Sequence, residues 1–163
     1  MNNLILIRHG QSIWNLERRF TGWADVDLTD HGKSEAKYAG QLIKKLNIEF
    51  DVYFTSVQIR AIDTLEIILD ILNKKNSEIK KAWELNERHY GALTGLNKDE
   101  MMKKLGKKQV HIFRRSWNVP PPTMKKTHPN HPSKNKTYIN IPTDKMPDSE
   151  SLKNTFERVM PYY

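Results

Sequence analysis

A histidine directly after an apolar run is the first residue in this sequence that could do chemistry. The aliphatic residues 4–7 lead straight into Arg8, His9 and Gly10. A short continuous aliphatic run is typical of a strand buried on both faces of a parallel sheet. Ligands of such sheets bind beyond the carboxyl ends of the strands, so His9 is predicted to face a cleft there. A largely neutral imidazole in that place is a candidate nucleophile.

Arginines near the same predicted sheet edge indicate phosphorus as the electrophile. Arg8 adjoins His9, and Arg60 follows a second predicted strand. Guanidinium groups bind phosphate oxygens through paired charge-assisted hydrogen bonds and stabilise charge on a transferring phosphoryl group. Glu87 follows a third predicted strand, where its carboxyl suits the proton transfer that phosphoryl exchange between hydroxyls requires. The other basic residues predicted for this pocket are Lys98, Arg114 and Arg115.

Each of these features also has an ordinary structural interpretation. A lone histidine beside an arginine at a strand end is more often structural than catalytic. Glu87 by itself would suit a surface salt bridge with Arg88, and the other basic residues would suit a solvated surface. The chemical interpretation therefore depends on these residues meeting at one edge of the sheet.

The elements that would position these residues predict an α/β fold with a mainly parallel sheet flanked by helices. Besides residues 4–7, strands are predicted at 52–54 and around 81–85. Thr29 is predicted to cap the first long helix, and Asn97 with Glu100 resembles a capping box for a short helix. The predicted inward helix faces are Ala36, Ala39, Ile43 and Leu46; Ile62, Leu65, Leu69 and Leu72; Val110, Phe113 and Trp117; and Leu152, Phe156 and Val159.

The chain of 163 residues is predicted to form a single domain, 1–163, with its own core. Residues 119–147 are rich in proline, lysine, asparagine and histidine and predict a long loop before a last helix that begins near Ser149 or Ser151. The sequence has no cysteine, which excludes disulfides and thiolate metal sites. It has no apolar run long enough to cross a bilayer and no signal-peptide pattern, so we expect a cytoplasmic protein without a membrane partner.

The formal net charge of +8 raises the possibility of nucleic-acid binding. The lysines, however, are spread along the chain as separate pairs, which is typical of a solvated surface. The four tryptophans fall on different predicted elements and form no stacking platform. We therefore expect no nucleic-acid partner, and the charge instead favours a small anionic substrate.

Six segments together resemble one enzyme family. They are, in chain order, RHGQSIWN, RFTGWADVDLTDHG, YFTSVQIRAIDT, WELNERHYGALTGLNK, RRSWNVPPP and SESLKNTFERVMPYY. In order and spacing they resemble the 2,3-bisphosphoglycerate-dependent phosphoglycerate mutases of the histidine phosphatase superfamily. The resemblance covers nearly the whole chain and implies a phosphoglycerate mutase-like fold.

This resemblance also implies a reaction. His9 would be phosphorylated by 2,3-bisphosphoglycerate as primer, and the phosphohistidine would interconvert 3-phosphoglycerate and 2-phosphoglycerate in glycolysis and gluconeogenesis. The implied catalytic residues are His9, Glu87, Arg8 and Arg60, with Glu87 exchanging the proton, and no metal is implied. The implied substrate-binding residues are Arg8, Asn15, Thr21, Gly22, Arg60, Glu87, Arg88, His89, Tyr90, Lys98, Arg114 and Arg115. The two histidines of the long loop, His128 and His131, are predicted to face solvent.

Members of the family have a second active-site histidine, followed by Gly-Asn-Ser, which this sequence lacks. We therefore expect the C-terminal part of the fold to be missing, with residues 4–7 left as an exposed apolar edge. Two alternatives to a mutase stay open: an inactive truncated remnant that binds only an anion or a partner chain, and a phosphatase of the same superfamily. Complete members of the family often form dimers or tetramers, so a homo-oligomer is expected.

Overall fold

The computed structural model describes residues 3–163. Its α-helices are α1 (Ile13–Leu16), α2 (Asp30–Lys45), α3 (Ile59–Ile71), α4 (Lys98–Leu105), α5 (Lys107–Arg115) and α6 (Leu152–Val159). Its strands are β1 (Tyr53–Thr55) and β2 (Ile79–Lys81). Short 3₁₀ turns occupy Trp83–Leu85, Gly91–Leu93, Pro132–Lys134, Lys136–Tyr138 and Thr143–Lys145.

The described sheet is parallel and is built as a β–α–β unit. Strands β1 and β2 pair with Tyr53 opposite Ile79 and Thr55 opposite Lys81, and α3 makes the crossover between them. Helix α2 packs on α3, where Gly40 lets the two backbones approach because an added Cβ would press on Ile71. The prediction of an α/β fold with a parallel sheet flanked by helices is confirmed.

The prediction that residues 4–7 form a strand buried on both faces is wrong, whereas the expectation that these apolar residues are left exposed is confirmed. Leu4 is 63% exposed and Leu6 is 80% exposed, and residues 4–7 are assigned to no strand. A strand exists only where a neighbour completes its backbone ladder, and within residues 3–163 β1 pairs with β2 alone. Residues 4–7 therefore have the apolar side chains of a buried strand, but no strand within residues 3–163 pairs with them.

The helix starts are where the sequence signals predict them. Thr29 Oγ1 accepts the amide hydrogen bond of Gly32 at 3.0 Å and begins α2. Asn97 Oδ1 accepts from the amides of Asp99 and Glu100 and begins α4, which is the asparagine half of the predicted capping box. Ser151 caps α6 in the same way. These caps confirm the predicted boundaries because they depend only on residues within one turn of the chain.

Some details of the predicted elements are wrong. The third predicted strand, around residues 81–85, corresponds to β2, which ends at Lys81, and residues 83–85 form a 3₁₀ turn rather than its continuation. Leu152 and Phe156 are exposed on α6, and Trp117 is exposed beyond the end of α5. Periodicity identifies one apolar face of a helix, but what covers that face depends on other elements.

Residues 119–147 lack long regular elements, as predicted, but they pack onto the segment that carries Trp23. The hydroxyl of the fully buried Tyr138 donates to the carbonyl oxygen of Trp23 at 2.6 Å. The prediction that His131 faces solvent is wrong: it is buried, with Nε2 at 2.8 Å from Asp148 and Nδ1 at 2.8 Å from Ser133 Oγ. Both ring nitrogens find polar partners within the folded loop, and these contacts offset the cost of burying the imidazole.

Two apolar clusters lie on either side of the residues that follow α1. Phe20 packs with Leu93, Met101 and Val110, and Trp23 packs with Tyr138 and Ile141. The intervening residues 21 and 22 are therefore held between two buried aromatic side chains. In the part of the chain that the structure describes, no helix has the length and apolarity to cross a membrane.

Candidate active site

His9 has one ring nitrogen held by the backbone, while the other is unprotonated. Its Nδ1 lies 2.7 Å from the carbonyl oxygen of Gly10. A carbonyl oxygen only accepts, so Nδ1 is the protonated nitrogen and Nε2 of the neutral ring has a lone pair. The Nε–H of Arg60 donates to that Nε2 at 3.2 Å. The two contacts orient the imidazole and make Nε2 the nucleophilic atom.

The surroundings of His9 favour its neutral form. Burial lowers the pKa of His9 below its ordinary value of 6.5, and the charges of Arg60 and Arg8 lower it further. The Gly10 hydrogen bond and the Glu87 charge raise the pKa and oppose part of this change. The net lowering keeps Nε2 unprotonated, and therefore nucleophilic, at neutral pH.

Helices α2 and α3 position His9 without help from a regular strand. An added Cβ on Gly10 would clash with the Gly32 backbone in the first turn of α2, and one on Gly32 would clash with Gln11. The Gly10 amide also donates to Thr64 Oγ1 of α3 at 3.2 Å. Close backbone packing at these two glycines therefore holds the turn that presents the imidazole.

Arg60 is fully buried and joins the segments that meet at the site. Its guanidinium donates to the carbonyl oxygens of Gly22 and Ala24, at 2.8 and 3.0 Å. It also donates to Gln58 Oε1 at 3.0 Å and to Glu87 Oε2 at 2.9 Å. Together with the His9 contact, these bonds engage all three nitrogens of the guanidinium. Arg60 is thus the common partner of the imidazole and the carboxyl.

Glu87 combines a fixed backbone with an accessible carboxyl group. Its amide donates to Gln58 Oε1 at 3.2 Å, and its side chain is 35% exposed. Because Glu87 and His9 bond to the same guanidinium, a group bound at Nε2 of His9 is also close to this carboxyl. The arrangement is suited to nucleophilic attack with assisted proton transfer.

A group of cationic and aromatic side chains lies beyond Glu87. Arg88 stacks on the Tyr90 ring, 4.8 Å from its centroid, and donates to the carbonyl oxygen of Arg114 at 2.7 Å. Lys98 Nζ lies 5.8 Å from the Phe20 ring centroid. Burial, and then the charge of Arg114, lowers the pKa of Lys98. A cluster of cations with this degree of burial would be stabilised by an anion.

Several buried polar atoms in this region have no partner within residues 3–163. They include Thr21 Oγ1, Arg88 Nη1 and Arg114 Nε, as well as Asn86 Nδ2 and His89 Nε2. Buried donors in proteins are nearly always hydrogen-bonded, so each such atom requires an explanation. Unpaired buried donors of this kind would be satisfied by the oxygens of a bound anion.

The other predicted residues are distributed around this centre. Asn15 completes the α1 capping box with Ser12 and lines a cleft of about 520 Å³ together with Arg8 and His9. Gly22 has a positive φ of 55°, and its approach to Tyr90 leaves little room for a side chain. Arg115 is exposed at the end of α5. In the described part of the chain, no group of three or more side chains is arranged to hold a metal ion.

Gln58 is a residue of this site that the sequence reasoning did not find. It is buried and donates to the Gly22 carbonyl at 2.8 Å, while its Oε1 accepts from both Arg60 and the Glu87 amide. Its place two residues before Arg60, at a strand-to-helix turn, is the only sequence signal for this role. A glutamine there is ordinarily solvated, so its burial had to be seen in the structure.

His89 lies in the core behind the cationic group. It is fully buried, its Nδ1 accepts from the Gly91 amide at 3.0 Å, and its ring meets Trp23 edge-on. Burial, followed by the charge of His131, lowers its pKa from 6.5 to about 3. The neutral imidazole is therefore part of the folded structure.

Acid is expected to destabilise the fold through His89. The unfolded chain binds a proton below the ordinary pKa of 6.5, whereas the folded chain resists it down to about 3, so the free energy of unfolding falls as the pH drops through that interval. The loss amounts to roughly 5 kcal/mol at the acid limit. Urea denaturation of the unaltered chain and of His89→Asn, which keeps an acceptor for the Gly91 amide, checks this. The two stability curves should converge towards low pH, and parallel curves would contradict the assignment.

Comparison with known proteins gives consistent results. A model of the histidine phosphatase superfamily (branch 1) matches residues 4–131. The whole chain is 56% identical to a 2,3-bisphosphoglycerate-dependent phosphoglycerate mutase of Pelagibacter ubique (strain HTCC1062) and covers 68% of it. It is 53% identical to the protein of the same name from Hydrogenobaculum sp. (strain Y04AAS1) and covers 66% of that one. The chain thus spans about two thirds of the length of these curated relatives.

A solved structure has a similar fold. The phosphoglycerate mutase from Thermus thermophilus superposes with a TM-score of 0.57, over 95% of this chain and 67% of its own. The sequence identity is 23%, so this likeness concerns the fold alone.

Proposed function

Because this chain belongs to the histidine phosphatase superfamily, and within it to the 2,3-bisphosphoglycerate-dependent phosphoglycerate mutases, we propose that it transfers phosphoryl groups between phosphoglycerates through His9. The proposed net reaction interconverts 3-phosphoglycerate and 2-phosphoglycerate. 2,3-Bisphosphoglycerate would supply the first phosphoryl group, and no metal is part of the proposal.

The observation that most supports this reaction is the shared guanidinium. Arg60 donates to His9 Nε2 and to Glu87 Oε2, so the nucleophile and the proton-transfer group are hydrogen-bonded to one fixed cation. A guanidinium in that place stabilises the charge spread over the oxygens of a transferring phosphoryl group.

Each chemical step then has a residue for every proton and bond. His9 Nε2 attacks phosphorus as the bond from phosphorus to the glycerate oxygen breaks, and the Glu87 carboxyl gives that oxygen its proton. In the return step a hydroxyl of the monophosphate attacks the phosphohistidine, the nitrogen–phosphorus bond breaks, and the Glu87 carboxylate takes the hydroxyl proton. The Glu87 carboxyl is thus protonated again at the end of the cycle.

We propose that the buried donors bind the rest of the substrate. Thr21 Oγ1, Arg88 Nη1 and Arg114 Nε lack partners within residues 3–163, and Lys98 adds a nearby charge. They would bind the phosphate and carboxylate oxygens that do not react. We also propose that the partners are small anionic metabolites of the cytoplasm, and assembly into a dimer or tetramer stays a prediction.

The test is to follow the phosphoryl group on this chain. Incubation with labelled 2,3-bisphosphoglycerate should place one acid-labile phosphoryl group on the peptide that contains His9. Added 3-phosphoglycerate should then be converted to 2-phosphoglycerate. Label on another residue, or no label, would refute the proposal, and phosphate release without isomer formation would identify a phosphatase instead.

A further inference from the structure

A buried ion pair lies behind the segment that carries Glu87. Glu150, just before α6, and Arg158, near the end of α6, form a bidentate ion pair. Arg158 Nε lies 2.7 Å from Glu150 Oε1, and Nη2 lies 2.9 Å from Oε2. The exposed fractions of the two side chains are 4% for Glu150 and 7% for Arg158. The pair is therefore removed from water and does not belong to the cleft around His9.

The remaining hydrogen bonds of the pair go to the backbone on both sides of Glu87. Arg158 donates to the carbonyl oxygen of Asn86 from Nη1 and Nη2, at 3.2 Å each, and to the carbonyl oxygen of Glu84 at 2.7 Å. Glu150 Oε2 accepts from the His89 amide at 2.8 Å, and the Glu150 amide donates to the His89 carbonyl at 3.0 Å. Residues 86 and 89 are thus fixed by the same ion pair.

This arrangement affects where the Glu87 carboxyl can lie. Arg60 holds the end of the Glu87 side chain, but a side chain is positioned only as well as the backbone from which it extends. A buried ion pair contributes little net stability, because desolvation offsets most of its Coulomb energy. A planar guanidinium bonded to fixed carbonyls does, however, restrict backbone movement, and a misplacement of about 1 Å at a reacting group can cost about a hundredfold in rate.

We propose that Glu150 and Arg158 are positioning residues for proton transfer by Glu87. They hold residues 86–89 so that the Glu87 carboxyl stays beside the oxygen that leaves phosphorus. The inference rests on the proposed function and extends it to two residues outside the cleft. His9 is held by α2 and α3, to which the Glu150–Arg158 pair makes no hydrogen bond within residues 3–163, so its effect is expected at Glu87.

The test compares two phosphoryl donors that differ in their need for a proton. The glycerate oxygen of 2,3-bisphosphoglycerate must be protonated as it leaves, whereas the phenolate of p-nitrophenyl phosphate leaves without a proton. In Glu150→Gln and Arg158→Lys, phosphorylation of His9 by 2,3-bisphosphoglycerate should slow by roughly ten- to a hundredfold. Phosphorylation by p-nitrophenyl phosphate should be nearly unchanged.

Glu157→Gln is the matched control, because Glu157 lies on the same helix but is exposed. Its contact with Lys153 is a long one, 3.7 Å between Oε1 and Nζ. It should leave the rates with both donors unchanged. Equal slowing with both donors in Glu150→Gln and Arg158→Lys would indicate general loss of structure and overturn the proposal. Unchanged rates with 2,3-bisphosphoglycerate would overturn it too. Arg158→Lys keeps the buried positive charge, so it provides the comparison if Glu150→Gln fails to fold.

Amide hydrogen exchange separates this inference from the proposed function. If neither donor phosphorylates the unaltered chain, the proposed function fails. The positioning role is then tested by hydrogen exchange at the His89 amide. This amide should exchange faster in Glu150→Gln than in Glu157→Gln. Equal protection of that amide in the two variants would overturn the positioning role by itself.

Discussion

Replacing His9 with asparagine is expected to abolish phosphoryl transfer. An asparagine amide can still donate to the Gly10 carbonyl, as Nδ1 does, but it has no counterpart of Nε2. The loss of the nucleophile should lower the transfer rate by roughly 10⁴-fold or more, while the fold is retained. The measurement is acid-labile phosphate on the chain together with isomer formation from 3-phosphoglycerate.

The matched control is His31→Asn, because the His31 side chain is exposed on α2 and its ion-pair partner within residues 3–163 is the exposed Glu35, at 3.4 Å. It should transfer phosphoryl groups at the unaltered rate. The pH dependence adds a second readout: protonation of Nε2 removes its lone pair, so the rate should fall as the pH drops through the pKa of His9. Because burial lowers that pKa, the midpoint should lie below the ordinary 6.5. Phosphorylation of His9→Asn at the normal rate would refute the assignment of the nucleophile.

Replacing Arg60 with lysine is expected to impair both stability and transfer. A lysine ammonium has three donors and no planar fork, so it cannot serve Gly22, Ala24 and Glu87 at the same time as His9. The unbonded carbonyls and carboxylate should lower the free energy of unfolding by about 2 to 4 kcal/mol. Loss of a fixed donor at the transferring group should slow phosphorylation by about a hundred- to a thousandfold.

Arg18→Lys makes the same change in an exposed pair. Arg18 contacts Asp99 through two hydrogen bonds, at 2.6 and 2.8 Å, but its side chain is 62% exposed. Water replaces the lost bonds there, so stability and transfer should stay close to those of the unaltered chain. Urea denaturation and the rate of His9 phosphorylation measure both effects. If Arg60→Lys behaves like Arg18→Lys, then the buried guanidinium is not the element that joins the site.

Local features of this protein could be predicted from sequence because their causes lie within one turn of chain. Thr29, Asn97 and Ser151 cap their helices through amides two or three residues ahead. The strand–helix–strand order indicated a parallel sheet, since a helix between two short strands leaves room for a crossover. The segments that resemble the mutases also identified the family without any coordinates.

Features that depend on distant partners could not be predicted in this way. Residues 4–7 have the composition of a buried strand, yet no described neighbour completes their ladder. Their exposure was expected only from the family resemblance and not from the residues themselves. His131 lies in a stretch of sequence typical of a solvent-facing loop. In the structure it is buried, and Asp148 and Ser133 are the polar partners of its ring nitrogens. Burial and pairing are properties of two segments together, so the sequence of one segment does not decide them.

In the candidate site, too, some features follow from the local sequence and others from contacts between distant segments. The sequence by itself determined which residue types could do the chemistry: an imidazole after an apolar run, arginines for phosphate and a carboxyl for the proton. Only the tertiary structure decided that Nε2 is the unprotonated nitrogen of His9 and that Arg60 joins it to Glu87. It also decided that the Glu150–Arg158 pair holds the backbone beside Glu87. The physical reason is that reactivity depends on side-chain type, whereas positioning depends on hydrogen bonds between residues far apart in the chain.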